Sequence, residues 1–136
     1  MNIQRLIIHC SDYGKPHTAS DIHDWHRKRG WAGIGYHDII DQDGLEHAGR
    51  PHYWQGAHAK SGGWNRKSLG VCLLAKRIRT DAQMKGLKAY VLRMAREYPN
   101  ILVCGHRDVE PNKTCPNFDV RAWIKADPDM RHVRTL

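Results

Sequence analysis

The chain has 136 residues, 40% of them apolar and 26% charged, a balance that fits one globular domain and excludes disorder and coiled coil. Its 22 Lys and Arg against 14 Asp and Glu give a net charge of +8, which favours anionic partners: nucleic acid, acidic lipid headgroups or an acidic cell wall. No apolar stretch approaches the ~20 residues of a membrane span, and the start, MNIQRLIIHCSD, lacks the apolar region of a secretory signal, so synthesis in a cytoplasm is expected, and any export would need another route.

In chain order, Arg5–His9 (RLIIH) is apolar and β-branched and predicts a short buried strand. Asp12–His17 is a loop. Thr18 with Asp21 three positions later predicts a capping box and a helix to about Arg29, ended by Gly30, with Ile22, Trp25 and His26 on its inner face. Tyr36–Asp41 predicts a strand, Gln42–Gly44 a turn, and Leu45–Ala48 the returning strand of a hairpin. Gly49–Lys67 lacks any period and predicts a long loop, a kind of segment that usually carries function in a compact domain. Ser68–Ala75 is nearly all apolar and predicts a central strand. A second capping box is expected at Thr80–Gln83. Met84, Leu87, Val91, Met94 and Tyr98 then recur at helical spacing, for a helix ending near Pro99. Ile101–Cys104 predicts another strand, Gly105–Asn117 a polar loop, and Asp119 the cap of a last helix through Lys125 with Val120 and Trp123 inward. Residues 126–136 read as a tail without clear structure, outside a core of about residues 3–125. The order gives a single α/β domain with a central mixed sheet flanked by helices.

Ten histidines make a metal site worth seeking, and the four cysteines are too few and too irregularly spaced for a disulfide framework. His9 and His106 each fall at, or just after, the carboxyl end of a predicted strand, the edge where open α/β sheets bind ligands. Cys115 lies nine positions beyond His106 in the same loop. Two imidazoles and a thiolate suit zinc and leave a fourth position open, an arrangement that is catalytic rather than structural. Against this stands the plainer reading, in which a histidine after a strand caps a loop or sits in the core. Cys10 cannot join His9, because strand neighbours point to opposite faces. Cys72 and Cys104 read as core.

Five blocks carry a family resemblance: IIHCSD at 7–12, DIHDWHRKRGW at 21–31, IGYHDIIDQDG at 34–44, GAHAKSGGWNRKSLGVCL at 56–73 and GHRDVEPNKTCPNFD at 105–119. In this order they resemble the zinc-dependent N-acetylmuramoyl-L-alanine amidases, which include small phage endolysins and share a fold with peptidoglycan recognition proteins. The resemblance implies one zinc per chain, held by His9, His106 and Cys115. It places Tyr36 near the metal, Lys113 at the catalytic lysine position and His58 on a substrate-facing loop, in which Trp64 and Asn65 are further candidate substrate contacts. The implied reaction is hydrolysis of the amide between N-acetylmuramic acid and L-alanine of peptidoglycan. Zinc would polarise the carbonyl, Lys113 would stabilise the oxyanion, and Tyr36 would hydrogen-bond the water or the oxyanion, or pass a proton to the leaving amine.

A phage or prophage endolysin is the expected role, made in the host cytoplasm and reaching the wall after a separate membrane pore opens. It is expected to act as a monomer, without stable membrane insertion. Rival readings are a non-catalytic peptidoglycan-binding module, against which Cys115 stands, and a cytoplasmic amidase recycling soluble muropeptides. Nucleic-acid binding is not expected, because the cations are scattered rather than striped along one helix. Trp54 and Trp64 either stack on sugar rings or pack the loop down, and Lys76–Arg79 reads as a solvated basic run.

Overall fold

The strand Arg5–Cys10 (β1) lies in the middle of the sheet, and its alternation explains the two faces of the molecule. In the computed structural model, which describes residues 1–136, β1 pairs in parallel with Ser68–Leu73 (β4) on one side and Leu102–Gly105 (β5) on the other. Asp38–Ile40 (β2) pairs in parallel with β4, Glu46–Ala48 (β3) pairs antiparallel with β2, and Arg134–Thr135 (β6) pairs in parallel with β5. The six-stranded order is β3-β2-β4-β1-β5-β6, a mixed sheet.

Leu6 and Ile8 of β1, with Leu69, Val71 and Leu73 of β4, face the main core. That core is closed by Asp81–Glu97 (α2), through Leu87, Tyr90, Val91 and Met94, and by Val120–Lys125 (α4), through Val120 and Ile124. On the opposite face, Ile7 packs with Ala59 and Cys104. Ile22 of Ala19–Lys28 (α1) packs there with Ile34, Ile39 and Leu74. His9 and Cys72 are register partners, and by strand alternation both belong to this second face.

Local chemistry sets most of the boundaries. Thr18 Oγ1 accepts from the Asp21 amide at 3.2 Å and Asp21 Oδ2 accepts from the Thr18 amide at 2.8 Å, the reciprocal capping box expected for α1. Gly30, at φ 87°, takes the left-handed conformation that ends this helix. At α2 only half of the expected box forms. Thr80 Oγ1 accepts from the Gln83 amide at 3.0 Å, but the Gln83 side chain turns inward and donates to the Ile40 and Leu74 carbonyls. Those carbonyls lie at the ends of two parallel strands, where Ile40 also accepts from the Leu74 amide at 3.0 Å and Leu74 from Gln42 Nε2 at 2.8 Å, and the Gln83 side-chain amide supplies each with a second hydrogen bond.

Three other expectations are corrected. The strand predicted at Tyr36–Asp41 is only Asp38–Ile40, although the Arg50 and Gly49 amides still donate to the Tyr36 and His37 carbonyls. The polar loop after β5 opens with a single helical turn, His106–Val109 (α3). The tail is ordered: Pro128–Met130 forms a 3₁₀ turn, Met130 (0% exposed) and Val133 (8%) enter the main core, and β6 extends the sheet. Lys88 reinforces the turn by bridging Asp127 at 2.9 Å and Asp129 at 2.7 Å. A two-residue strand is too short to show a period, so only burial of Met130 and Val133 reveals it.

Candidate active site

His9, His106 and Cys115 converge on the second face of the sheet. One ligand atom from each lies within 4.8 Å of the others. β1 delivers His9, the turn α3 delivers His106 immediately after β5, and the loop after α3 folds back so that the Cys115 carbonyl accepts from the Arg107 amide at 2.8 Å. The Cys10 amide donates to Cys115 Sγ at 3.1 Å, which fixes the thiol against β1. The rings of His9 and His106 are 4.5 Å apart, and Tyr36 lies 5.1 Å from His9.

These residues line a cleft of about 630 Å³. His26, Arg29 and Trp31 of the α1 end, and Ala57–Lys60 of the long loop, form its walls, with Asn65, Glu110 and Lys113. Lys113 is exposed at the rim.

The donor set fits a metal ion. Burial, then the neighbouring His58 and His106, holds the His9 pKa well below 6.5. Burial likewise lowers that of His106. Both imidazoles are therefore neutral, the form that ligates. His106 Nε2 is buried without a hydrogen bond: it lies 3.1 Å from Glu110 Oε2 but off the hydrogen-bonding line. Two neutral imidazoles and a thiol whose ligand atoms lie within 4.8 Å of one another are a donor set that suits zinc. The Cys115 thiol is raised by its contact with Cys10 and by burial, a shift that a bound dication reverses. Burial raises the Tyr36 phenol well above 10, so it stays a hydrogen-bond donor.

The structure thus brings His9, His106, Cys115, Tyr36, Lys113, His58 and Asn65 to one cleft. It places Trp64 elsewhere. Its ring is packed between the Arg5 guanidinium at 3.8 Å and the Lys67 ammonium at 4.3 Å, against the Ile7, Ala59 and Cys104 cluster. Trp54 is 51% exposed. Asn65 braces the loop, its Oδ1 accepting from the His58 and Ala59 amides at 2.8 and 2.7 Å. The sequence reading missed Glu110. Burial works against its ionisation, but the Ser61 amide (3.0 Å from Oε1) and His106 outweigh it and hold its carboxyl below 4.5. Its spacing of four from His106 was the available signal.

The comparisons with known proteins agree with this geometry. Residues 1–118 match the N-acetylmuramoyl-L-alanine amidase family. The chain belongs to that family. The endolysin of Enterobacteria phage T3 is 35% identical over 130 residues, covering 88% of this chain and 84% of its own. Among solved structures, the N-acetylmuramoyl-L-alanine amidase LysC from Clostridium intestinale URNW superposes with a TM-score of 0.82 at 30% identity, over 96% of this chain and 87% of its own. Drosophila PGRP-LB superposes with a TM-score of 0.78 at 26% identity, over 98% and 85%. The amidase therefore carries its His, His and Cys donors in a fold shared with peptidoglycan recognition proteins.

Proposed function

We propose that this amidase is zinc-dependent and serves as a phage or prophage endolysin, cleaving the bond between N-acetylmuramic acid and L-alanine in peptidoglycan. The observation that carries this reading is the convergence of His9, His106 and Cys115 within 4.8 Å, in a cleft that Tyr36 and Lys113 also line. The phage relatives supply the biological setting. His9, His106 and Cys115 would hold one zinc and leave a position open. Zinc bound there supplies a Lewis acid for the amide carbonyl and lowers the pKa of water toward neutrality.

The chain's own groups divide the remaining work. The Tyr36 phenol, kept neutral by burial, donates a hydrogen bond toward the reacting oxygen and can pass its proton to the leaving amine. The Lys113 ammonium at the rim places positive charge where the tetrahedral oxyanion develops. The surface charge of +8 draws the enzyme to anionic wall polymers. No helix is long and apolar enough to cross a membrane. In this reading the protein is made in the host cytoplasm, meets the wall after a separate membrane lesion, and works as a monomer without nucleic acid.

The test is turbidity loss of purified Gram-negative walls stripped of outer membrane, with and without a chelator, beside Cys115→Ala. Zinc-reversible lysis that releases L-alanine amino termini, and is lost in the variant, is the expected result. Lysis that ignores the chelator overturns the zinc mechanism. Turnover of soluble muropeptides without wall lysis would favour the recycling enzyme.

A further inference from the structure

The long loop does more than border the cleft. His58 Nδ1 lies 2.8 Å from His9 Nε2, with the two rings edge to face. The other nitrogen of His58, Nε2, lies 3.4 Å from Ser68 Oγ, and Ser68 Oγ donates to the Trp64 carbonyl at 2.6 Å. We propose that His58 is a positioning residue that fixes the tautomer and rotation of His9, so that His9 presents Nδ1 to the metal. This rests on the zinc amidase reading above.

The available protons fix the tautomers. A carbonyl only accepts, so the single Ser68 proton is spent on Trp64. Ser68 Oγ must then accept from His58 Nε2–H. A neutral His58 with its proton on Nε2 has a bare Nδ1, which accepts from His9 Nε2–H. His9 is left with its lone pair on Nδ1, the ligating form. A metal-bound histidine whose second nitrogen is held in this way keeps its orientation and tautomer. Here the partner is another imidazole, and the order of protons is set by a backbone carbonyl four residues before Ser68.

The surroundings support a built-in role. Asn65 Oδ1 anchors the backbone here by accepting from the His58 and Ala59 amides. The ring sits in a slot made by missing side chains: a Cβ at Gly70 would lie 2.6 Å from His58 Cγ and Nδ1, and one at Gly56 would lie 2.5 Å from His58 Cδ2. The same loop reaches the second ligand histidine, since the Ser61 amide holds Glu110 beside His106.

Two measurements on the full chain test this. In metal-free protein, imidazole ¹⁵N shifts should show both His9 and His58 as Nε2–H tautomers. Zinc affinity is then measured by competition with a chromophoric chelator for wild type, His58→Phe and His58→Gln. His58→Phe should weaken zinc binding roughly 10–100-fold. His58→Gln, whose amide can accept and donate, should recover part of that loss. KM for a soluble muropeptide should hold, with activity restored by added zinc. An Nδ1–H tautomer at His58, or unchanged zinc affinity with a raised KM, overturns the proposal and makes His58 a substrate contact. If His58→Phe does not fold, the wild-type ¹⁵N shifts and Ser68→Ala, expected to shift the His58 tautomer balance, decide it. Tight zinc binding without wall or muropeptide hydrolysis would sink the amidase reading and leave the tautomer result standing.

Discussion

Gly70 offers a direct steric probe of the cleft. In Gly70→Ala the new methyl would lie 2.6 Å from His58 Cγ and Nδ1 and 2.8 Å from Cδ2. Carbon contacts settle at about 3.5–4.0 Å, so the ring must retreat by roughly 1 Å. Its 2.8 Å bond to His9 then opens beyond hydrogen-bonding range. Overpacking of this kind costs about 1–3 kcal/mol, and the lost hydrogen bond adds about 1 kcal/mol. Alanine returns about 0.5–1 kcal/mol by restricting the unfolded chain. The net loss is about 1–3 kcal/mol, a fall in Tm of about 4–12 °C for a chain of this size. The assay is a thermal melt of metal-free protein followed by zinc competition with a chelator. An unchanged Tm together with wild-type zinc affinity would refute the reasoning, because it would mean that the slot holding His58 has slack.

His26 is held near 4 by burial, then by Arg29 and Arg50, and accepts from the Gly35 amide at 2.8 Å, so its stabilisation is present above its ordinary 6.5 and lost as pH falls from there. Urea midpoints should drop over that window in wild type and less in His26→Gln; parallel profiles would contradict this. His52 has the opposite sign. Its bond to Asp38 raises its pKa above 6.5, so its contribution is full below that pH and fades as pH rises through the folded value, a slope that His52→Asn should remove. Met130→Ala, at a fully buried position of the last 3₁₀ turn, should cost about 2–4 kcal/mol in denaturant unfolding; a loss below about 0.5 kcal/mol would mean that the tail does not belong to the core. Lys113→Ala should lower kcat on muropeptides by about 10²–10³-fold with little change in KM, as for a group that acts on developing charge.

How far the sequence could be read depended on the range of each interaction. Thr18 and Asp21 cap α1 through atoms three residues apart, so the pattern is visible in the string. The apolar run Ser68–Leu73 is likewise local and marks a strand buried on both faces. Family blocks named His9, His106, Cys115, Tyr36 and Lys113, but nothing in the string says that Trp64 turns away between Arg5 and Lys67. Gln83 reads as a capping partner until the Ile40 and Leu74 carbonyls are seen within reach of its side-chain amide. Tyr90 is not among the stripe Met84, Leu87, Val91, Met94 and Tyr98, yet it is fully buried and its hydroxyl donates to Asp38 at 2.6 Å. Glu110 and Ser61 are 49 positions apart, and their bond is a product of the finished fold.

The two faces of the sheet are packed very unequally. Sixteen buried residues join in the cluster beneath α2 and α4, whereas the opposite side holds separate groups of four and three. Less apolar area resists separation there, so partial opening on that side costs a fraction of global unfolding. Backbone amides of α1 and of the segment 56–67 should then exchange with solvent through subglobal fluctuations, while those of β1 and β4 wait for complete unfolding. The side that carries the cleft of His9, His106 and Cys115 is the side that can breathe, and a ligand seated there would gain protection from exchange that the rest of the molecule does not need.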